Sequence, residues 1–126
     1  MKKYLAAMLL LTIPMLLPGC FRTVTRVDFV IPAGTESQVI YSDMEVSPKT
    51  DYIEIASGEN LGDTSVSLKQ VGDETQNEGE YLTTGVRVRL SAEQGTWYRI
   101  GIIGHNPGDQ DITVSVMVTN AEVRVP

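Results

Sequence analysis

Apolar and polar side chains alternate with a period of two along most of the chain after residue 24. The alternation is clearest over residues 111–119, where every second position carries a branched apolar side chain. Successive side chains of a strand point to opposite faces of its sheet, so this pattern predicts strands with one buried face. The inward set predicted for residues 111–119 is Ile112, Val114, Val116 and Val118.

The same reading predicts about eight short strands, separated by turn residues such as Pro32, Ala33 and Gly34. Residues 72–80 are rich in acidic and small side chains and are predicted to form an exposed loop. With no segment of helical periodicity, the pattern is typical of an all-β fold, a small antiparallel β-sandwich of jelly-roll type. The predicted strands are 25–31, 37–41, 44–46, 52–56, 65–71, 85–90, 96–103 and 111–119, with a further short one at 122–125.

Residues 1–19 have the three parts of a secretory signal peptide. Lys2 and Lys3 form the positive start, and an apolar run follows over residues 5–17. The run is shorter than the roughly 20 apolar residues that span a bilayer, and it ends at Pro18 and Gly19. This segment is therefore predicted to be cleaved rather than kept as a transmembrane helix.

Leu17, Pro18, Gly19 and Cys20 together resemble the lipobox of bacterial lipoproteins. The resemblance implies that the leader is cut before Cys20, that its sulfur carries diacylglycerol, and that palmitate or a similar acyl chain caps the new amino terminus. Two or more acyl chains give a stable membrane anchor. Residues 20–24 would then be a lipidated tether and residues 25–126 an extracytoplasmic domain at the cell membrane or outer membrane. The alternative is an ordinary secreted protein whose Cys20 happens to follow the cut.

The closing segments of the chain are loosely similar to pre-peptidase C-terminal domains and carbohydrate-binding jelly rolls. The similarity covers residues 95–102, the turn at 106–109 and residues 111–116. It implies a β-sandwich and transfers no functional residue.

Composition excludes several classes of protein. Without residues 1–19, 107 residues remain, which suits one domain. Cys20 is the only cysteine, so no intramolecular disulfide is available. Losing Lys2 and Lys3 leaves eight basic side chains against sixteen acidic ones, a formal charge of −8, which argues against nucleic acid as a partner.

The acidic loops offer hard oxygen ligands of the kind calcium prefers. No loop has the spacing of an EF-hand, and solvated acidic loops are the simpler interpretation. No cofactor is therefore predicted, with calcium as a weak alternative at Glu59, Asp63, Asp73, Asp109 and Asp111.

Catalysis has little support in the sequence. His105 is the only histidine, and it is predicted to be a polar residue of a loop. No nucleophile elbow accompanies it. The chain is therefore predicted not to be an enzyme.

Strand parity points to one candidate surface. If Val86, Val88 and Leu90 face the core, Arg87 and Arg89 face solvent. The inward set of the next strand, Tyr98, Ile100 and Ile102, likewise sends Trp97 and Arg99 outward.

A hairpin through residues 91–95 would place Arg89 opposite Trp97 and Arg87 opposite Arg99. The result would be three arginines around the only tryptophan, which are residue types that anchor interfaces. Alternatively, Trp97 lies under a loop or is covered by Arg99.

The sequence thus predicts a membrane-anchored, non-catalytic binding module for a protein or a glycan of the cell envelope. The predicted ligand-binding residues are Trp97, Arg87, Arg89 and Arg99. The alternative is a structural component that joins an envelope complex through its sheet edges, without a discrete ligand site.

Overall fold

The computed structural model describes residues 23–73 and 79–126, and within these ranges the fold is all-β without a helix. Its strands form two antiparallel sheets. The four-stranded sheet has the order β1-β9-β4-β7, with β1 Val24–Ile31, β4 Tyr52–Ser57, β7 Arg87–Ser91 and β9 Ile112–Thr119. The six-stranded sheet has the order β10-β3-β8-β5-β6, with β2 also paired to β8. Its strands are β2 Thr35–Tyr41, β3 Glu45–Pro48, β5 Thr64–Gln70, β6 Glu80–Leu82, β8 Tyr98–Asn106 and β10 Ala121–Arg124.

The inward side chains of both sheets form one hydrophobic core. Ile100 and Ile102 of β8 are fully buried, as are Ile53 and Ile55 of β4 in the other sheet. The period-two alternation predicted this arrangement, because each strand contributes every second side chain to the core. Ile112 is an exception to the prediction, since the side chain is 40% exposed at the end of β9.

Each predicted strand is present, with ends that agree within about three residues. The prediction missed β6, which lies at the end of the segment assigned to the acidic loop and pairs with β5. This strand has only the three residues Glu80, Tyr81 and Leu82, which is too few to show an alternation of apolar and polar side chains.

The predicted hairpin between residues 85–90 and 96–103 is wrong. β7 pairs with β4, whereas β8 pairs with β5, so the connection crosses from one sheet to the other. Both strands bury their apolar sets in the same core, but they approach it from opposite sides. Parity identifies the buried face of each strand and does not reveal which sheet the strand joins. Val86, predicted to face inward, precedes β7 and is 52% exposed.

A short break separates β2 from β3, and both strands lie along the same side of β8. The Ser42 hydroxyl holds this break, since Oγ accepts from Ile100 N at 3.1 Å and donates to Met44 O at 2.7 Å. The strands on either side of the break therefore place Tyr41 beside Gly101 and Glu45 beside Arg99 in the first half of β8.

The leader, Cys20 and the first tether residues lie outside the described residues, so their predicted roles stay predictions. In the ranges that the structure covers, no helix has the length and apolar character needed to cross a membrane.

Candidate functional site on the six-stranded sheet

Four charged side chains form a row across the outer face of the six-stranded sheet. Arg124 of β10 is the register partner of Glu45 of β3, and Arg99 of β8 is the partner of Lys69 of β5. The two pairs adjoin because Val46, next to Glu45, pairs with Tyr98, next to Arg99. We call Arg124, Glu45, Arg99 and Lys69 the charged row.

The charged row has an excess of positive charge. Glu45 is 4% exposed, with Arg124 Nε at 2.8 Å from Oε1 and Arg99 Nη2 at 3.9 Å from Oε2. The arginine side chains are only half covered, at 46% and 45% exposure. The Glu45 carboxylate therefore faces two arginines, and with Lys69 the charged row has three cations and one carboxylate, on a chain whose formal charge is −6.

An aromatic ring lies beside the cation at each end of the charged row. Trp97 is half-buried, and the Arg124 guanidinium carbon lies 4.0 Å from the centre of its ring. Tyr41 is also half-buried, and Lys69 Nζ lies 5.0 Å from its ring centre. Both cations are within the distance at which a ring face attracts positive charge.

Gly101 creates the space that Tyr41 occupies. The two residues are register partners, and a Cβ on Gly101 would lie 3.0 Å from Tyr41 Cε1. It would also lie 2.9 Å from Ser67 Oγ and 3.0 Å from Val39 Cγ1. Only glycine leaves room for the tyrosine ring to lie across the strand at this position.

A groove of about 370 Å³ opens beside the charged row. It combines an aromatic ring, two cationic side chains, an amide and a carboxylate, and so presents both hydrogen-bond donors and acceptors. Such a mixture suits a ligand with several hydroxyl groups and an acidic group. The lining residues are Tyr41, Lys69, Gln70, Val71, Gly72, Asp73 and Arg99.

The structure divides the predicted patch between the two sheets. Trp97 and Arg99 lie together on the six-stranded sheet, whereas Arg87 and Arg89 lie on the outer face of the four-stranded sheet. There Arg87 Nη1 is 3.2 Å from Glu54 Oε1 and Arg89 Nε is 3.5 Å from Oε2. The positions predicted for Arg87 and Arg89, opposite Arg99 and Trp97, are therefore wrong.

Of the charged row, sequence analysis missed Arg124, Glu45 and Lys69, and of the groove it missed Tyr41 and Gln70. The alternation of the strand predicted at residues 65–71 places Lys69 on the outer face, but it carries no information on which strand lies beside it. Arg124 is 79 residues from Glu45 in the sequence, although the two residues are neighbours in the sheet. No local pattern in the sequence reports such a separation.

The carboxylates proposed for calcium are not gathered at one point. Asp63 Oδ1 accepts from Thr84 N at 2.9 Å, and Asp111 Oδ1 accepts from Ala33 N at 3.0 Å, so both fix turns. Glu59 lies 3.6 Å from an arginine nitrogen. Asp73 lines the groove, and Asp109 is exposed in the turn before β9.

Among the described residues no three histidine, cysteine or acidic side chains converge as a metal site. Of the other acidic residues of the predicted loop, Glu74 and Glu78 lie outside the described residues.

His105 is part of β8 and not of a loop as predicted, since β8 extends to Asn106. The side chain is exposed on the outer face, beside a shallow depression lined by residues 34–37 and Pro107.

Comparison with known proteins does not show a family for this chain. No family model matches it, and no curated protein does. One solved structure aligns with it, that of the capsular polysaccharide assembling protein CapF from Staphylococcus aureus, at 17% identity and a TM-score of 0.31. The alignment covers 79% of this chain and 28% of that protein, so this chain spans well under half of its length. A likeness at this level carries no argument about fold or function.

Proposed function

We propose that the chain is a membrane-anchored extracytoplasmic lipoprotein whose domain is a non-catalytic binding module for an acidic glycan of the cell envelope. The domain is a β-sandwich of jelly-roll type in this proposal, and the charged row with its groove is the binding surface. The observation that carries the proposal is the excess positive charge of the row beside an aromatic-lined groove, on a chain that is acidic as a whole.

The sandwich assignment draws support from the strand order. When β2 and β3 are counted as one interrupted strand and β10 as an addition, eight strands remain in two antiparallel sheets of four. Each sheet then combines strands from both halves of the chain. Eight strands in two sheets that enclose one core are characteristic of jelly rolls.

The ligand class follows from the chemistry of the groove. Arg99 and Lys69 offer several donors to a carboxylate or phosphate, and charge-assisted hydrogen bonds of this kind are about twice as strong as neutral ones. Tyr41 supplies flat apolar surface for a sugar ring. Gln70 and Asp73 add polar groups that suit hydroxyls. A groove of about 370 Å³ is at the small end of ligand pockets, which suits one or two sugar units.

The cellular location in this proposal rests on the leader and Cys20. The first strand begins at Val24, so only a short tether separates the domain from the acylated cysteine. A domain held this close to the bilayer is well placed to bind glycans attached to the envelope.

Isothermal titration of the purified protein with trigalacturonic acid, with maltotriose as a neutral control, tests the ligand class. We expect binding of the acidic sugar that weakens about tenfold in the Arg99→Ala variant, which loses a charge-assisted hydrogen bond. Arg87→Ala, a matched removal of one arginine on the other sheet, should leave the affinity unchanged. Equal binding of both sugars, or equal loss in both variants, would contradict the proposal.

An acidic peptide such as penta-glutamate distinguishes a protein ligand from a glycan ligand. Tight binding of the peptide, with no binding of either sugar, would identify a protein ligand for the same surface and overturn the glycan proposal.

A further inference from the structure

β1 is the longest edge strand of the described fold. It spans eight residues, Val24–Ile31, and ends the four-stranded sheet with β9 as its partner. Among the described strands, none pairs with its other edge. A long open edge presents a row of unpaired N–H and C=O groups that favours pairing with another chain.

The hydrogen bonds of β9 identify which residues of β1 face this edge. The backbone carbonyl oxygen of Ser115 in β9 accepts from Gly58 N at 2.9 Å, and the Ser115 N–H donates to Glu59 O at 3.0 Å. Both backbone groups of Ser115 therefore point away from β1. Neighbouring residues of a strand direct these groups to opposite sides. Val114 and Val116 therefore bond to their register partners in β1, Phe29 and Val27.

The N–H and C=O groups of the alternate residues of β1 consequently point to the open edge. Their side chains lie on the outer face of the sheet, where Val24 is 49% and Val30 52% exposed. The Arg26 and Asp28 side chains are 51% and 47% exposed. The residues that face the open edge are therefore Val24, Arg26, Asp28 and Val30. This series is symmetric about Val27, so it can pair with an antiparallel copy of itself.

An antiparallel copy of β1 centred on Val27 would place Arg26 opposite Asp28 and Val24 opposite Val30 at both ends of the seam. Opposite charges directly across a strand pair are favourable, and so are paired β-branched side chains. Moving the register by two residues would instead bring Asp28 opposite Asp28 or Arg26 opposite Arg26. Charge thus selects one register.

Arg26 is already oriented along the outer face. Its Nε lies 3.0 Å from Asp28 Oδ1, and its Nη1 lies 3.6 Å from Glu59 Oε1. The hydrogen bond to Asp28 raises the pKa of Arg26 further above its ordinary value. In the paired arrangement each Asp28 would lie beside two arginines, so the pair within the strand extends into a ring of four charges.

We propose that two copies of the chain associate through antiparallel pairing of their β1 strands about Val27, which joins the two four-stranded sheets into one of eight strands. The interface is isologous, so it closes after two copies and does not propagate. The four outward-facing residues of each copy would supply about eight backbone hydrogen bonds. This inference is independent of the proposed function, because the charged row lies on the other sheet.

Sedimentation of the purified protein in density-matched detergent tests the pairing. We expect a dimer that dissociates on dilution. Arg26→Asp and Asp28→Arg should each be monomeric at concentrations where the unchanged chain is dimeric, because each places like charges opposite one another. The double exchange Arg26→Asp with Asp28→Arg should restore the dimer, and a mixture of the two single variants should form a mixed dimer.

Two further variants distinguish pairing from general effects. Lys49→Asp changes net charge as Arg26→Asp does, but at an exposed position outside β1, and should leave the dimer intact. Asp28→Pro removes an N–H that faces the open edge and leaves the hydrogen bonds between β1 and β9 in place. This variant should therefore be a folded monomer. The proposal would be overturned if the unchanged chain were monomeric at about 100 µM. It would also be overturned if the single charge variants stayed dimeric.

Discussion

The guanidinium of Arg124 lies 4.0 Å from the centre of the Trp97 ring while its Nε contacts Glu45 Oε1 at 2.8 Å. The last strand of the described fold thereby covers the only tryptophan of the chain and joins it to the charged row. Trp97 emission is consequently a direct reporter of this part of the six-stranded sheet.

Removing the cover should change that emission. In Arg124→Ala the ring gains contact with water, so we expect a shift of the emission maximum to longer wavelength and stronger quenching by acrylamide. Arg89→Ala is the matched control, because Arg89 lies over Tyr52 on the other sheet, with its guanidinium carbon 4.5 Å from the ring centre. Identical emission in both variants would mean that Arg124 does not shield Trp97.

Gly101→Ala should destabilise the fold and disturb the groove together. The added Cβ would lie about 3 Å from Tyr41, Val39 and Ser67, and overpacking of this kind typically costs about 1–3 kcal/mol. We expect a lower midpoint of thermal unfolding and weaker binding of trigalacturonic acid. Gly62→Ala is the control, since a Cβ there meets nothing within 4 Å. A melting temperature unchanged in both variants would contradict the packing described for Tyr41.

Glu54 makes the two arginines of the four-stranded sheet interdependent. Its side chain is 5% exposed beneath Arg87 and Arg89. Either arginine alone should be replaceable by alanine at a cost of about 1 kcal/mol or less, as for exposed ion pairs. Replacing both leaves a covered carboxylate without these two cations, and the free energy of unfolding should fall by about 3 kcal/mol.

Denaturant titration of the single and double variants measures this coupling. Adding Glu54→Gln to the double variant should recover part of the lost stability, because the covered charge is removed. Strictly additive losses would show that the arginines act separately.

The alternation of β8 separates core from surface within one strand. Ile100 is fully buried and Ile103 is 38% exposed. Ile100→Ala should cost about 2–5 kcal/mol through the lost burial and the remaining cavity, whereas Ile103→Ala should cost well under 1 kcal/mol. Chemical unfolding of both variants checks the difference, and comparable losses would show that the strand faces are assigned wrongly.

Cys20 should carry the lipid. Cells grown with an alkyne-labelled palmitate analogue should label the unchanged chain, and Cys20→Ser should abolish both the label and retention in the membrane fraction. An unlabelled but secreted chain would instead indicate an ordinary signal peptide.

Much of the fold could be predicted because burial alone imposes a period of two on each strand. Val114, Val116 and Val118 are inward as their spacing requires. The pairing of strands could not be predicted in the same way. β7 and β8 bury their apolar residues in a common core from opposite sheets, and the alternation of each is the same in either arrangement.

The candidate site was predictable only in part for the same reason. Outward parity correctly identified Arg99 as a surface residue, and Trp97, just before β8, is half-buried beside it. The neighbours that give the surface its charge and its groove come from strands distant in sequence. Glu45 could not be recognised as a covered outward residue, because its burial results from Arg124 and Arg99 on adjacent strands.

The most direct test of the central claim is a map of backbone amide shifts by NMR as trigalacturonic acid is added to the isotopically labelled protein. We predict that the shifted amides cluster at Tyr41, Lys69, Gln70 and Arg99, which line the groove on the six-stranded sheet, with the four-stranded sheet unaffected. Shifts centred on Arg87 and Arg89, or no shift at millimolar sugar, would contradict the assignment of the charged row as the binding surface.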